Sequence, residues 1–320
     1  MLPRTRAAVK RLKPRQPPAI ITGHRRQPLA PGDLAVFKNL CAGAIGVGGS
    51  TLEVAALAKK TGFGGMDLNA GEAATLLELG ELDTLKRLYE QYGLVPGGFG
   101  LPVEFRRDEE TFQKSLAPLP RLAKAAAAMG CFRCPTWILP FSNDLPFAEN
   151  FETHRRRLKA CAEILRDHGV WLGLEFVGPK TMRVGKTHEF IWNMKGMLEL
   201  ADAIGTGNVG LLLDCWHWYT AHGTVADILA LRPEQIVYTH VNDAPAGVDV
   251  DAQVDNVRRM PGETGVIDIA GFLKALAKIG YDGPVTAEPF VPQLKELPAI
   301  EACRRTSAAL DKILAQAGLA

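Results

Sequence analysis

The chain has 320 residues, 47% of them hydrophobic and 22% charged, a profile of a globular protein with one large α/β domain or two medium ones. A net charge of +2 excludes a strong overall pull toward nucleic acid or membrane. No apolar run reaches the ~18 residues of a membrane span.

The charge is uneven. Residues 1–36 hold eight of the 37 Lys/Arg and one of the 35 acids, leaving 29 basic and 34 acidic residues for the remainder, a net of −5. This proline-containing arm has no sustained apolar period and reads as a flexible extension. Arg25-Arg26 ahead of an apolar run has the look of a twin-arginine export signal. We read that run instead as the first core strand, residues 40–47, because a helical pattern follows at once.

From there, strand-type runs alternate with helical spacing. "STLEVAALAKKTG" is a helix capped by Ser50 or Thr51, with Glu53 in its first turn. Residues 64–68 form a second strand, with a helix over 80–92. "GLVPGGFGLP" is the third strand, followed by a helix over 108–129. "CFRCPTWILP" is the fourth, ending at Pro135, and a helix covers 151–168. Cys131 and Cys134 read as buried free thiols, which suits a reducing cytoplasm. The "HRRR" at 154–157 reads as a solvated helix face.

"VWLGLEFVG" is the fifth strand, with a helix over 189–204. "NVGLLLDC" is the sixth, with a helix near 224–231. "IVYTHVND" is the seventh, followed by a long polar loop and a helix over 269–279. "GPVTAEPF" is the eighth, and a last helix covers 300–316. Eight strand–helix units in about 280 residues are the rhythm of a single (β/α)8 TIM barrel over 37–320.

In such barrels the chemistry sits where strands end. The last four apolar runs end in Glu175, Asp214, His240 and Glu288. Three carboxylates crowded at one mouth repel unless a cation sits among them. Three oxygen ligands and one imidazole suit a single divalent metal ion, Mn2+ first, with Mg2+, Co2+ or Zn2+ as alternatives. Trp137, Trp216 and Trp218 are candidate apolar walls for a sugar ring. His188 is a candidate at the mouth, and Asn242 and Asp243 are placed to orient His240 or touch substrate. There is no Walker loop and no strand-to-helix G-x-G-x-x-G, so no phosphate site is demanded and a phosphorylated substrate stays open.

The series Glu175, Asp214-Cys-Trp-His217, His240, Glu288 resembles the sugar isomerase/epimerase group of the xylose isomerase-like TIM barrels. "AKKTGFGGMDLN", "GNVGLLLDCWHWY" and the closing segment "RRMPGETGVIDIAGFLKALAKIGYDGPVTAEPF" resemble it too. The resemblance implies one divalent metal on Glu175, Asp214, His240 and Glu288. It implies that the two glutamates move protons through an enediolate. It implies that His217 and Arg258 (Arg259 second) contact substrate hydroxyls, with His217 supporting Asp214 as the alternative. The implied substrate is a keto-sugar or inosose-type polyol ketone. The alternatives are a lyase using the same proton abstraction, an apurinic-site endonuclease-like phosphodiesterase, and a non-catalytic sugar-binding protein. A homodimer or homotetramer is implied, with neither nucleic acid nor membrane as partner. Two departures stand out. An acidic loop, "APAGVDVDAQVDN", precedes Arg258, either covering the site or displacing that arginine. Thr181 stands where some epimerases have a second glutamate.

Overall fold

Strands β1 (Phe37–Leu40), β2 (Gly65–Met66), β3 (Val95–Pro96), β4 (Arg133–Ile138), β5 (Trp171–Phe176), β6 (Val209–Asp214), β7 (Ile236–Val241) and β8 (Pro284–Ala287) form one parallel sheet. They are seen in a computed structural model that describes residues 36–319. The strand order is β3-β2-β1-β8-β7-β6-β5-β4. The two edges meet through backbone bonds. Phe99 N–H donates to Arg133 O at 3.0 Å, and Leu101 N–H to Pro135 O at 2.9 Å. The ring is thereby closed, and the fold is the expected TIM barrel.

Eleven α-helices alternate with these strands among the described residues. Helix α1 (Thr51–Lys60) starts with a capping box, Ser50 with Glu53, and ends with Lys59 and Lys60 near its carbonyl pole. Between β2 and β3 lie α2 (Ala70–Leu79) and α3 (Leu82–Tyr92). Between β3 and β4 lie α4 (Glu109–Leu116) and α5 (Leu119–Ala128). Then come α6 (Phe147–Arg166), α7 (Met194–Ile204), α8 (Cys215–Thr220), α9 (Val225–Leu229), α10 (Ile269–Ile279) and α11 (Ala299–Ala317). Helix α10 buries Ile269, Phe272, Leu273 and Leu276 at helical spacing, each worth about 1.5–3 kcal/mol. Phe272→Ala would cost about 3–5 kcal/mol. No described helix is long and apolar enough to cross a membrane.

Several expectations need correction. The first strand is Phe37–Leu40, not residues 40–47; the apolar Ala42–Ile45 is a 3-10 turn, closed by Gly46 at φ 73°. Its three small residues of four lack the branched bulk that favours a pleat. The fourth strand continues through Pro135 because only the Pro135 carbonyl is needed on the β3 side. The helix expected over 80–92 is present as the second of a pair that breaks at Gly80, whereas the single helix expected over 108–129 is two helices, broken at Pro118. The "HRRR" face is not wholly solvated. His154 and Arg157 turn inward with Leu158 and Cys161, and only Arg155 and Arg156 remain outside. The basic arm and Arg25-Arg26 lie outside the described residues, apart from Val36. All six cysteines are free, and Cys131 and Cys134 are buried.

A register shift shapes the interior. Leu211 pairs with Ile236 but Leu212 with Tyr238, so Val237 is an extra residue, a β-bulge. Tyr238 then projects across the barrel to Asn39 and Asp67. Asn39 Nδ2 donates to Asp67 Oδ1 and to Tyr238 Oη, both at 2.8 Å, and Tyr238 Oη donates to Asp67 Oδ1 at 2.8 Å. Thr286 Oγ1 completes the network by donating to Tyr238 Oη at 2.8 Å. Gly97 and Gly98 make room for it, because a Cβ at either would collide with Asn39 or Tyr238. Two residues beyond Tyr238, His240 faces the mouth, with its ring edge-on to the tyrosine at 5.4 Å.

Candidate metal centre

The carboxyl ends of β5–β8 carry the site. Glu175 lies on β5, Asp214 closes β6, His240 lies on β7 and Glu288 follows β8 directly. One ligand atom from each lies within 4.8 Å of all the others. His240 Nδ1 is 3.5 Å from Glu175 Oε1 and 3.4 Å from Glu288 Oε2. Asp214 Oδ1 accepts from Trp216 N–H at 2.8 Å and from Asn242 Nδ2 at 3.1 Å, which fixes the carboxylate as the cap of α8.

The four residues fit a divalent cation on two grounds. Glu175 Oε1 and His240 Nδ1 are buried and lack a hydrogen-bond partner among the described residues. Atoms left in that state cost about 1–3 kcal/mol each unless a ligand engages them. The donor set, three carboxylates and an imidazole, also suits such an ion. Without a cation, burial pushes the Glu175 carboxyl up to about 8. Burial opposes charge on His240 as well, but Glu288 and Glu175 raise its pKa well above the usual imidazole value. Against burial, His240 and Arg258 hold Glu288 below the usual carboxylate range. Protons on Glu175 and His240 thus relieve the repulsion that metal binding would otherwise relieve.

Arg258 sits in the cluster, almost wholly buried. Its Nη1 donates to Asp214 Oδ2 at 2.7 Å and lies 3.3 Å from Glu288 Oε2. Its Nη2 donates to Asp255 Oδ1 at 2.9 Å and lies 3.2 Å from His217 Nε2. His217 Nδ1 accepts the Gly178 N–H at 3.2 Å. Burial drives the His217 pKa down to about 3, with Asp214 opposing and Arg258 reinforcing, so the ring is neutral. The acidic loop leaves Arg258 in the site, since its Asp255 grips the guanidinium. Farther along, the same loop rests on residues 180–182. Lys180 Nζ meets Asp251 Oδ2 at 2.7 Å, and Thr181 Oγ1 donates to Gln253 O at 2.7 Å.

The remaining candidates separate. Trp216 is wholly buried, and its ring lies 5.3 Å from the Arg258 guanidinium. Trp137 is 46% exposed beside β5, opposite Glu175 in register. Trp218 packs on Phe272 in the helix layer, away from the mouth. His188 does not begin a helix: it lies in a two-residue ribbon paired with Ser142, and its ring makes no hydrogen bond among the described residues. Arg259 points outward toward Glu263. Asp243 touches neither His240 nor the mouth. Its carboxylate accepts the backbone N–H groups of Ala244, Thr264, Gly265 and Ile267 and thereby anchors the P-G-E-T-G turn.

Sequence reading overlooked Asp67 and Arg106. Asp67 directly follows β2, so the strand-end rule that selected the other four applied to it as well. Arg106 lies in a connecting segment without periodicity, and nothing local marks it.

The family model described as xylose isomerase-like TIM barrel matches residues 55–313. An inosose isomerase of Halalkalibacterium halodurans is 25% identical over 232 residues, 70% of this chain and 76% of that protein. A xylose isomerase domain protein from Alicyclobacillus acidocaldarius subsp. acidocaldarius superposes with a TM-score of 0.77 at 29% identity, over 88% of this chain and 99% of that one. The IolI protein with a bound zinc atom superposes with a TM-score of 0.70 over 88% of this chain and 98% of its own. At 21% identity that last likeness is one of fold.

Proposed function

The chain belongs to the family of xylose isomerase-like TIM barrels, and from that premise we propose that it is a divalent-metal-dependent isomerase or epimerase of a keto-sugar or inosose-type ketone. The observation that carries the reading is the four-residue cluster of Glu175, Asp214, His240 and Glu288, two of whose buried polar atoms have no hydrogen-bond partner among the described residues. The inosose isomerase relative and the zinc-bearing fold neighbour support it.

These four residues would hold the metal. When bound, the metal supplies Lewis-acid stabilisation to a carbonyl and its neighbouring hydroxyl, worth several kcal/mol as negative charge develops. Glu175 and Glu288 extend from strands on either side of β6 and β7, the arrangement that lets carboxylates approach a substrate carbon from opposite faces. One takes the proton beside the carbonyl. The other returns a proton to the same carbon, giving an epimer, or to its neighbour, giving an isomer. His217, held neutral, is positioned by the Gly178 N–H at Nδ1 and lies beside the Arg258 guanidinium at Nε2. Arg258 donates to Asp214, favours the ionised form of Glu288 and steadies the oxygen that gains charge.

Incubating the protein in deuterated water with a panel of keto-sugars and inososes tests this. Deuterium should enter one carbon-bound position, and a chelator should abolish the exchange. An eliminated fragment in place of an epimer would favour the lyase alternative. Exchange on no member of the panel would refute the reading.

A further inference from the structure

Arg106 combines features that the proposed proton chemistry does not use. Its guanidinium carbon lies 4.1 Å from the Phe105 ring centroid and 4.0 Å from that of Trp137. Two aromatic faces thus fix the plane of the fork at little rotamer cost. Its sole hydrogen bond among the described residues is a long one, Nη2 to Thr136 Oγ1 at 3.4 Å. Among the described residues no carboxylate lies within ion-pair distance of it, and its buried Nε has no hydrogen-bond partner. A half-buried guanidinium normally loses free energy in that state unless an anion faces it.

Its location completes the argument. Trp137 is the register partner of Glu175, and parallel partners share a face of the sheet, so Arg106 caps the ring beside a metal-cluster carboxylate. Glu175 is close enough to act electrostatically on Arg106. Arg106 also lines a cavity of about 290 Å3 with Arg107, Arg156, Arg157 and one acid, Asp144. Arg156 and Arg157 are engaged with Glu109, whereas Arg106 and Arg107 have no acidic partner among the described residues. That volume accommodates a carboxylate or a phosphate.

We propose that Arg106 recognises an anionic oxo-group, carboxylate or phosphate, on the substrate, and so sets the substrate class as an acidic or phosphorylated ketone rather than a neutral one. The identity of the ligand as substrate rests on the isomerase reading; the anion site itself does not. Planar, preorganised guanidinium forks match both groups through paired N–H donors, and Arg107 adds long-range charge.

Two measurements test the proposal. In the first, inorganic phosphate is titrated calorimetrically into the full-length chain with chelator present, which removes binding through a metal. Saturable binding of one phosphate per chain is expected, weakened about tenfold or more in Arg106→Gln and less in Arg106→Lys. Arg107→Gln should give a smaller loss and checks that a stable surface variant behaves as wild type in unfolding. No saturable binding, or equal binding in Arg106→Gln, overturns the proposal. In the second, a carboxylate-bearing keto-sugar and its neutral counterpart are compared on the metal-loaded enzyme. Arg106→Gln should raise KM for the acidic member about tenfold while sparing kcat, and should leave the neutral member unchanged. Equal losses on both would mark a merely structural role and overturn it. Should no ketone exchange at all, the isomerase reading fails, and the phosphate titration still decides the site.

Discussion

Strands β5, β6 and β7 run six residues each, whereas β2 and β3 have only two each. The difference extends to chemistry. The long strands hold rigid, buried ladders and close on charged ligands, Glu175, Asp214 and His240. On the short side Asn39 and Asp67 share hydrogen bonds with Tyr238 and Thr286, and glycines stand in place of side chains. A metal centre needs atoms fixed to within tenths of an ångström, and long paired strands supply that. The opposite wall, with its two-residue strands, is tied by the hydrogen bonds of Asn39, Asp67, Tyr238 and Thr286. The barrel therefore gathers the candidate metal ligands at the ends of one run of strands and ties the other run by hydrogen bonds.

This division can be broken experimentally. The largest effect is expected at the ligands. Glu175→Gln or Glu288→Gln should lower deuterium exchange about 10²–10⁴-fold, with metal content measured on the same sample. Arg258→Ala comes next. It strips Asp214, Asp255 and Glu288 of a buried partner and should lower stability by about 3–5 kcal/mol in chemical denaturation, with metal recovering part of the loss. Tyr238→Phe removes a hydroxyl from the short-strand network. A loss of about 1–2 kcal/mol with unchanged metal content is expected, and a lost metal would erase the distinction between the halves.

The subtlest effect sharpens the comparison through pH. Glu175 is raised by burial to about 8 in the metal-free fold, from an ordinary value of 4.5. A carboxyl raised on folding contributes stability that is complete below its unfolded pKa and is lost as pH climbs through its folded one. The raised His240 acts in the same direction. The metal-free protein should therefore weaken between pH 4.5 and about 8, while the stabilisation conferred by added manganese grows over the same range. Thermal midpoints with and without the ion would show the two curves diverging. Parallel curves would mean that protons and metal do not compete for these side chains.

The long-strand half was the legible one. A buried apolar run that stops at a charge is visible in one dimension, and all four such residues converge in space. Helix α10 was legible to its ends because Asp268 caps it and Gly280 stops it. The short-strand half was not. Two-residue strands carry no periodicity, and the bulge at Val237 depends on a neighbour rather than on local composition. His154 and Arg157 appeared solvated because charge outweighed position, yet Phe105, Phe190 and Glu109 supply the contacts that draw them in. The Arg106 stack joins residues 31 positions apart and leaves no local trace.

One feature of the acidic loop bears on how such an enzyme changes. Asp243 and Arg259 exchange two backbone hydrogen bonds, 3.0 and 2.8 Å, at the neck of the segment between them. A segment cinched at its base can be lengthened or replaced at a cost that grows only logarithmically with its length, about 0.6 kcal/mol per doubling. The stretch before Asp255 is therefore an exchangeable cassette. A library built there would vary the segment while Glu175, Asp214, His240 and Glu288, which lie outside it, stay untouched.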